Sequence, residues 1–229
     1  MSAQPPGPFD LAEWPAQLRA RVVTPGPRPH VRGYDVEGDL ARHYSFAEGV
    51  LIALGGEVPS EAQGRAFEIA MQYLSPAPVN EAPTHAAALC RISAGTDSGV
   101  IGTAAVGLAE QGRAAVAHPG VLVWLQEGGD PPDGALAKND DERESVARLR
   151  DALRATGLSV PALGHDLGRT AAILAVLHAC GLRSGYTLEA AWVIARLATS
   201  VAEAMTNKRR GFQAYPTLLP PIRYDEDPR

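Results

Sequence analysis

The chain has 229 residues, 45% of them hydrophobic, with a formal charge of −5 and a pI near 5.7. That length can bury a substantial core, as one domain or as one large and one small lobe. The acidic balance argues against nucleic acid as a partner, no apolar run can span a bilayer, and the start lacks the apolar stretch of a signal peptide, so a soluble, cytoplasmic protein is expected.

Residues 1–30 carry Pro5, Pro6, Pro8, Pro15, Pro25, Pro27 and Pro29, and read as an extended arm broken by one short helical segment at 11–22. From Tyr34 the pattern changes. Ser45 precedes Phe46, Ala47 and Glu48, a cap followed by acid in the first turn, and Val50, Leu51 and Leu54 recur at helical spacing. Gly55-Gly56 stops that helix. Pro59-Ser60-Glu61 starts another, with Phe67, Ala70, Met71 and Leu74 on one face, and Pro76 and Pro78 end it. Further helices are expected over 84–94, 99–111, 117–126, 139–156, 167–180 and 188–208. Alanine is abundant and alternating β-branched runs are missing, so an all-α fold follows. The stretch 128–138, containing Gly128-Gly129-Asp130-Pro131-Pro132-Asp133-Gly134, is an interhelical loop. The tail 211–229 reads as extended, with Phe212, Tyr215 and Tyr224 available to pack. Cys90 and Cys180 lie in apolar helical contexts without metal-ligand spacing and read as reduced core residues. No spacing among the six histidines supports a metal site.

The run Val160-Pro161-Ala162-Leu163-Gly164-His165-Asp166 sets a histidine and a carboxylate side by side between a turn and an apolar helix. Its neighbours give it context. Arg32-Gly33-Tyr34-Asp35-Val36, then Tyr44-Ser45-Phe46-Ala47-Glu48 and Leu54-Gly55-Gly56-Glu57-Val58-Pro59-Ser60, resemble the opening of the citrate synthase superfamily. Ala82-Pro83-Thr84-His85-Ala86-Ala87 with Ser93-Ala94-Gly95-Thr96-Asp97, then 102–112, then Leu177-His178-Ala179-Cys180-Gly181, resemble later family segments in the family's order. Ala195-Arg196 and Asn207-Lys208-Arg209 are similar to its last conserved helix, and the resemblance spans residues 28–224.

The resemblance implies a citrate-synthase-like helical fold: a domain over 31–210 with a large helical body and a reduced lobe at about 128–165. It also implies a C–C bond made or cleaved between an acyl-CoA, acetyl-CoA, and a keto acid, oxaloacetate. The coenzyme A thioester would be substrate, and no separate cofactor is implied. In that chemistry one carboxylate moves the α-proton, histidines stabilise the enol and polarise the keto carbonyl, and arginines hold carboxylates. Asp166 matches the proton-moving carboxylate, His165 the keto-polarising histidine, His118 the enol-stabilising one and Arg196 the carboxylate-binding arginine.

Each assignment has a plainer alternative. Asp166 can be an acid favoured by a helix N-terminus, paired with His165. Arg196 can sit on a helix surface beside Glu189 or Glu203. His118 follows a turn with extra residues and a proline, as a structural or surface histidine would. In the family, the segments matched by His165 and Asp166 are separated by a longer stretch that carries much of the CoA-binding loop, and here they adjoin. The region 77–81 holds no histidine where the family places one, and His85 reads as a core or interface residue. Two functions follow. One is a citryl-CoA lyase or citrate synthase-type enzyme acting on acyl-CoA and a keto acid or citrate. The other is an inactive member kept as a partner subunit or acyl-CoA-binding protein. The helices at 99–111 and 188–208 would pair copies as a homodimer, or as a heterodimer with an intact paralogue.

Overall fold

The computed structural model describes residues 17, 19–118 and 120–211. Most of the expected helix at 11–22 lies outside them, and residues 19–22 are not helical. Phe212, Tyr215 and Tyr224 also lie outside the described residues. The fold is all-α apart from one small sheet, and the chain divides into two compact units at residues 45 and 46.

In the first unit, β1 (Val23–Thr24), β2 (His30–Val31) and β3 (Tyr34–Asp35) form an antiparallel sheet with His30 opposite Asp35 and Val31 opposite Tyr34. That register leaves Arg32-Gly33 as a two-residue turn, and both residues take positive φ, 53° and 88°, as the tightest hairpin turns require. Asp35 then accepts hydrogen bonds from the amides of Glu37 and Gly38 at 2.9 and 2.7 Å, capping a π-helical turn, Val36–Leu40. The Gly38 amide, more than any other group, holds the Asp35 carboxyl below its usual pKa. The Arg-Gly-Tyr-Asp stretch is therefore a hairpin and a cap. A short helix, α1 (Ala41–His43), follows.

The second unit holds α2 (Phe46–Gly55), α3 (Glu61–Leu74), α4 (Ala82–Ile92), α5 (Asp97–Val116), α6 (Val121–Glu127), α7 (Asp140–Arg154), α8 (Arg169–Ala179) and α9 (Gly185–Met205). Ser60 and Gln63 close a reciprocal cap on α3, with Ser60 Oγ accepting from the Gln63 amide at 3.2 Å. Helix α4 begins earlier than expected because Pro83 sits in its first turn, where no amide hydrogen is needed. Helix α5 runs through Gly112, which the sequence suggests as a stop. A Cβ there would lie 3.0 Å from the Trp192 ring, so this glycine admits α9 instead of ending α5. Helix α6 starts only after Gly120, at φ 80°. Helix α8 starts at Arg169 and not at 167, because Leu167 pairs in an extended bridge with Leu136.

Every residue of α8 from Ala171 to Leu177 is buried, as an all-round apolar helix must be. Phe67, Ala70 and Leu74 of α3, Leu149 and Leu153 of α7, and Leu188 and Trp192 of α9 surround it. A second cluster, Ala87, Ala88, Val100, Ala104 and Ala204, packs α4, α5 and α9 through small side chains. Phe67 is fully buried, so Phe67→Ala should lower unfolding free energy by about 3–5 kcal/mol in denaturant titration. Gly112→Leu should cost about 1–3 kcal/mol in the same measurement by pushing Trp192 out of place.

Candidate functional site

Leu188, Trp192, Arg196, Ser200 and Ala204 recur every four residues along α9, and all five are buried. The repeat places an arginine in the middle of a buried stripe, where a charge requires partners. Arg196 has an 8% exposed side chain and lines a cleft of about 650 Å³ formed by the C-terminal end of α3, the first halves of α7 and α8, Gln111 of α5 and the middle of α9.

Its guanidinium is held on three sides. Nη1 donates to the Leu74 carbonyl at 3.1 Å, at the C-terminal end of α3, where helix carbonyls lack partners. Nη2 donates to the carboxylate of Glu81, and the guanidinium carbon lies 5.3 Å from the centroid of the Trp192 ring. Gln111 of α5 closes the circuit: its Nε2 donates to Glu81 at 2.8 Å and its Oε1 accepts from Trp192 Nε1 at 3.2 Å. Arg196 Nε is buried and has no hydrogen-bond partner. One strong donor is therefore left over in the cleft wall.

One turn further along α9, Ser200 fixes the neighbouring loop. Thr84 Oγ1 donates to the Ala77 carbonyl at 3.0 Å and lies 2.9 Å from Ser200 Oγ, so Pro76 and Pro78 are held against the cleft. Across from Arg196, Arg169 opens α8 and donates to the Tyr73 carbonyl at 2.5 Å. Among the described residues no carboxylate is in ion-pair range of Arg169. A cation in the first turn of a helix opposes the helix dipole, and the Tyr73 carbonyl near the C-terminal end of α3 is the acceptor that holds Arg169 there. Arg148 of α7 also lines the cleft and pairs with Glu144 at 2.5 Å.

The other residues singled out in the sequence lie elsewhere. His165 and Asp166 follow a 3-10 turn, the Leu167 amide donating back to the His165 carbonyl at 3.0 Å, and they do not pair. The Asp166 carboxylate is taken by Arg143, whose Nε is 3.1 Å from both oxygens, and Arg143 also holds Asp140. Asp166 and then Asp140 raise the Arg143 pKa. Asp166 lies outside the first turn of α8, and its carbonyl accepts from the Ala137 amide at 2.9 Å. The His165 ring meets Trp124 edge-on at 6.4 Å and faces a separate cavity of about 250 Å³ with His178. Burial, and secondarily the charge of Arg183, lowers the His178 pKa, so that imidazole is held neutral. His118 is exposed beyond α5, its ring pressed against Gly134. His85 is exposed on α4. Arg196 pairs with neither Glu189 nor Glu203, because the α9 stripe turns it inward to Glu81.

Glu81, Gln111, Arg169 and Trp192 were not singled out in the sequence. The period-four stripe through Arg196 was the available signal for Trp192, and the basic first turn of α8 was the one for Arg169. Among the described residues no group of three His, Cys, Asp or Glu is arranged to hold a metal ion. Both cysteines are free, and burial pushes the Cys180 thiol up to about 12, so it is protonated and inert. No described helix is long and apolar enough to cross a membrane.

No protein-family model and no curated protein sequence matches the chain. Solved structures do. Citryl-CoA lyase from Hydrogenobacter thermophilus superposes with a TM-score of 0.65 at 17% identity, over 92% of this chain and 97% of that one. A variant of Methanosaeta concilii ATP citrate lyase, in complex with (3S)-citryl-CoA, superposes with a TM-score of 0.65 at 11% identity. ATP citrate lyase from Methanothrix soehngenii, in complex with citrate and coenzyme A, gives 0.62 at 12%. Each of these two matches covers 92% of this chain but only 43% of the lyase chain. With its nine described helices in this arrangement, the chain has the citrate-synthase-like fold.

Proposed function

We propose that this protein acts as a citrate synthase or citryl-CoA lyase does, with the carboxylates of citrate or oxaloacetate held in the cleft at Arg196. One observation carries the reading: a guanidinium nine-tenths buried in the cleft wall, with Nε unpartnered. A planar fork of this kind suits a carboxylate and offers two parallel hydrogen bonds. Arg169, and Arg148 where it is not shared with Glu144, supply further positive charge for a di- or tricarboxylate, beside Asp141 and Glu142 on the same wall. The structural neighbours carry citryl-CoA, or citrate and coenzyme A, which supports the same ligand class.

The reaction itself needs two proton movements. A base takes the proton of the citryl hydroxyl, and the C–C bond breaks as the ketone of oxaloacetate forms. The bonding electrons pass into the thioester enolate, whose methylene carbon then takes a proton to give acetyl-CoA. The synthase direction reverses these steps to citryl-CoA, and water then cleaves that thioester to citrate and coenzyme A. The coenzyme A thioester is substrate in either direction.

A second reading is binding without turnover, as a partner subunit or an acyl-CoA-binding protein. It is favoured by the placement of His118, His165 and Asp166, none of which lines the Arg196 cleft. The two readings separate on one preparation. Release of acetyl-CoA from citryl-CoA supports the enzyme, whereas citrate binding by calorimetry without that release supports the binder. In either case Arg196→Met should weaken citrate binding about a hundredfold, the scale of a lost pair of charge-assisted hydrogen bonds. Arg196→Lys should recover only part of it, since an ammonium lacks the fork. Unchanged citrate affinity in both variants would remove Arg196 from the site.

Pairing of two copies is also proposed, through the outer face of α5. Val106, opposite the buried stripe of that helix, is 68% exposed and Ile101, on its flank, 44%, and both are large apolar side chains in water. Val106→Glu should convert a dimer to a monomer in sedimentation equilibrium, and an unaltered mass would place the interface elsewhere.

A further inference from the structure

We propose that Glu81 is an internal competitor for the Arg196 socket, a carboxylate of the chain's own that a substrate carboxylate must displace. This rests on the reading that the cleft takes a carboxylate ligand. Three observations carry it. The first is an asymmetry of burial: the Arg196 side chain is 8% exposed and Glu81 32%. Arg196 cannot leave for water, but Glu81 can, so Glu81 is the partner that moves.

The second is the unused donor. Nε and Nη2 share one edge of the guanidinium, and Glu81 engages only Nη2. A ligand carboxylate laid along that edge makes two bonds where Glu81 makes one, and it satisfies the buried Nε. The socket is thus better matched to an incoming carboxylate than to its resident one.

The third is where Glu81 stands in the chain. It is the N-cap residue of α4, yet its side chain caps no amide of that helix. Once released from Arg196, its carboxylate still lies at the positive end of an 11-residue helix, which offsets part of the cost of displacement. Gln111, which now donates to Glu81, is left as a donor facing the ligand.

The consequence is a raised threshold for binding. Ligands with one carboxylate must break the Glu81 pair for little return, whereas those with two or three are also drawn by Arg169 and Arg148. Glu81 therefore selects for multiply charged carboxylates.

The test is calorimetric titration of the full chain with citrate and with acetate, for wild type, Glu81→Gln, Glu81→Asp and Asp141→Asn. Asp141 lines the same cleft and reports the general effect of removing a negative charge. Glu81→Gln is expected to tighten citrate about tenfold and to bring acetate binding within reach, with Asp141→Asn tightening citrate by clearly less than Glu81→Gln does. Glu81→Asp keeps the charge but draws the carboxylate back by one methylene, and should also tighten citrate. It decides the matter if the melting curve of Glu81→Gln shows a damaged fold. Citrate binding to wild type with equal or weaker affinity in the Glu81 variants would overturn the competitor role and leave the carboxylate site standing. Equal tightening in Glu81→Gln and Asp141→Asn would overturn it too, as a bulk charge effect. Citrate binding to none of the four proteins would remove the carboxylate site and the competitor together.

Discussion

A single buried charge organises the cleft of the second unit. Arg196 is placed inside by the period of α9 and not by any local preference for charge, so the surrounding elements must each give it something. The C-terminal end of α3 supplies the Leu74 carbonyl, the start of α4 supplies Glu81, α5 supplies Gln111 and the preceding turn of α9 supplies Trp192. Each contribution ties a helix end or face to the same point. The close approach of α5 to α9 at Gly112 is what brings Gln111 and Trp192 within reach of each other. Of these partners only Glu81 carries the opposite charge, so without it or a ligand carboxylate in its place Arg196 is an uncompensated charge in a low-dielectric wall.

The secondary structure was largely legible because its signals are local. The Ser60–Gln63 cap, the proline pair after α3 and the all-apolar run of α8 are read from neighbouring residues. The misjudged boundaries share one cause. Gly112, Pro83 and Leu167 are residues whose meaning is set by a partner distant in sequence or by a position inside the turn. Gly112 faces Trp192, Pro83 occupies a first-turn site and Leu167 joins Leu136. Local reading assigns them as stops or starts where tertiary contact uses them otherwise.

The site was legible only in part, for a related reason. Arg196 was found through the resemblance carried by Ala195-Arg196, and the period-four stripe of α9 explains why it is buried. His165 and Asp166 drew notice as neighbours in sequence, yet the chain turns tightly at Asp166, the Leu167 amide donating to the His165 carbonyl at 3.0 Å, and the two side chains face different partners. Asp166 went to Arg143 and His165 to Trp124. Glu81 could not be found by type, since a glutamate at the start of a helix is ordinary. It acquires meaning only from the arginine 115 positions later. The Arg32-Gly33-Tyr34-Asp35 stretch is the reverse case: a distinctive string whose residues serve a hairpin and a cap.

Helix α8 has a consequence for how the second unit behaves as a body. With Ala171 through Leu177 all enclosed, this helix has no solvent-facing side along which it could fray or detach. Its backbone amides meet water only when α3, α7 and α9 separate from it. The helical body therefore opens as a whole or not at all around this axis, and its local flexibility is confined to the peripheral helices and loops.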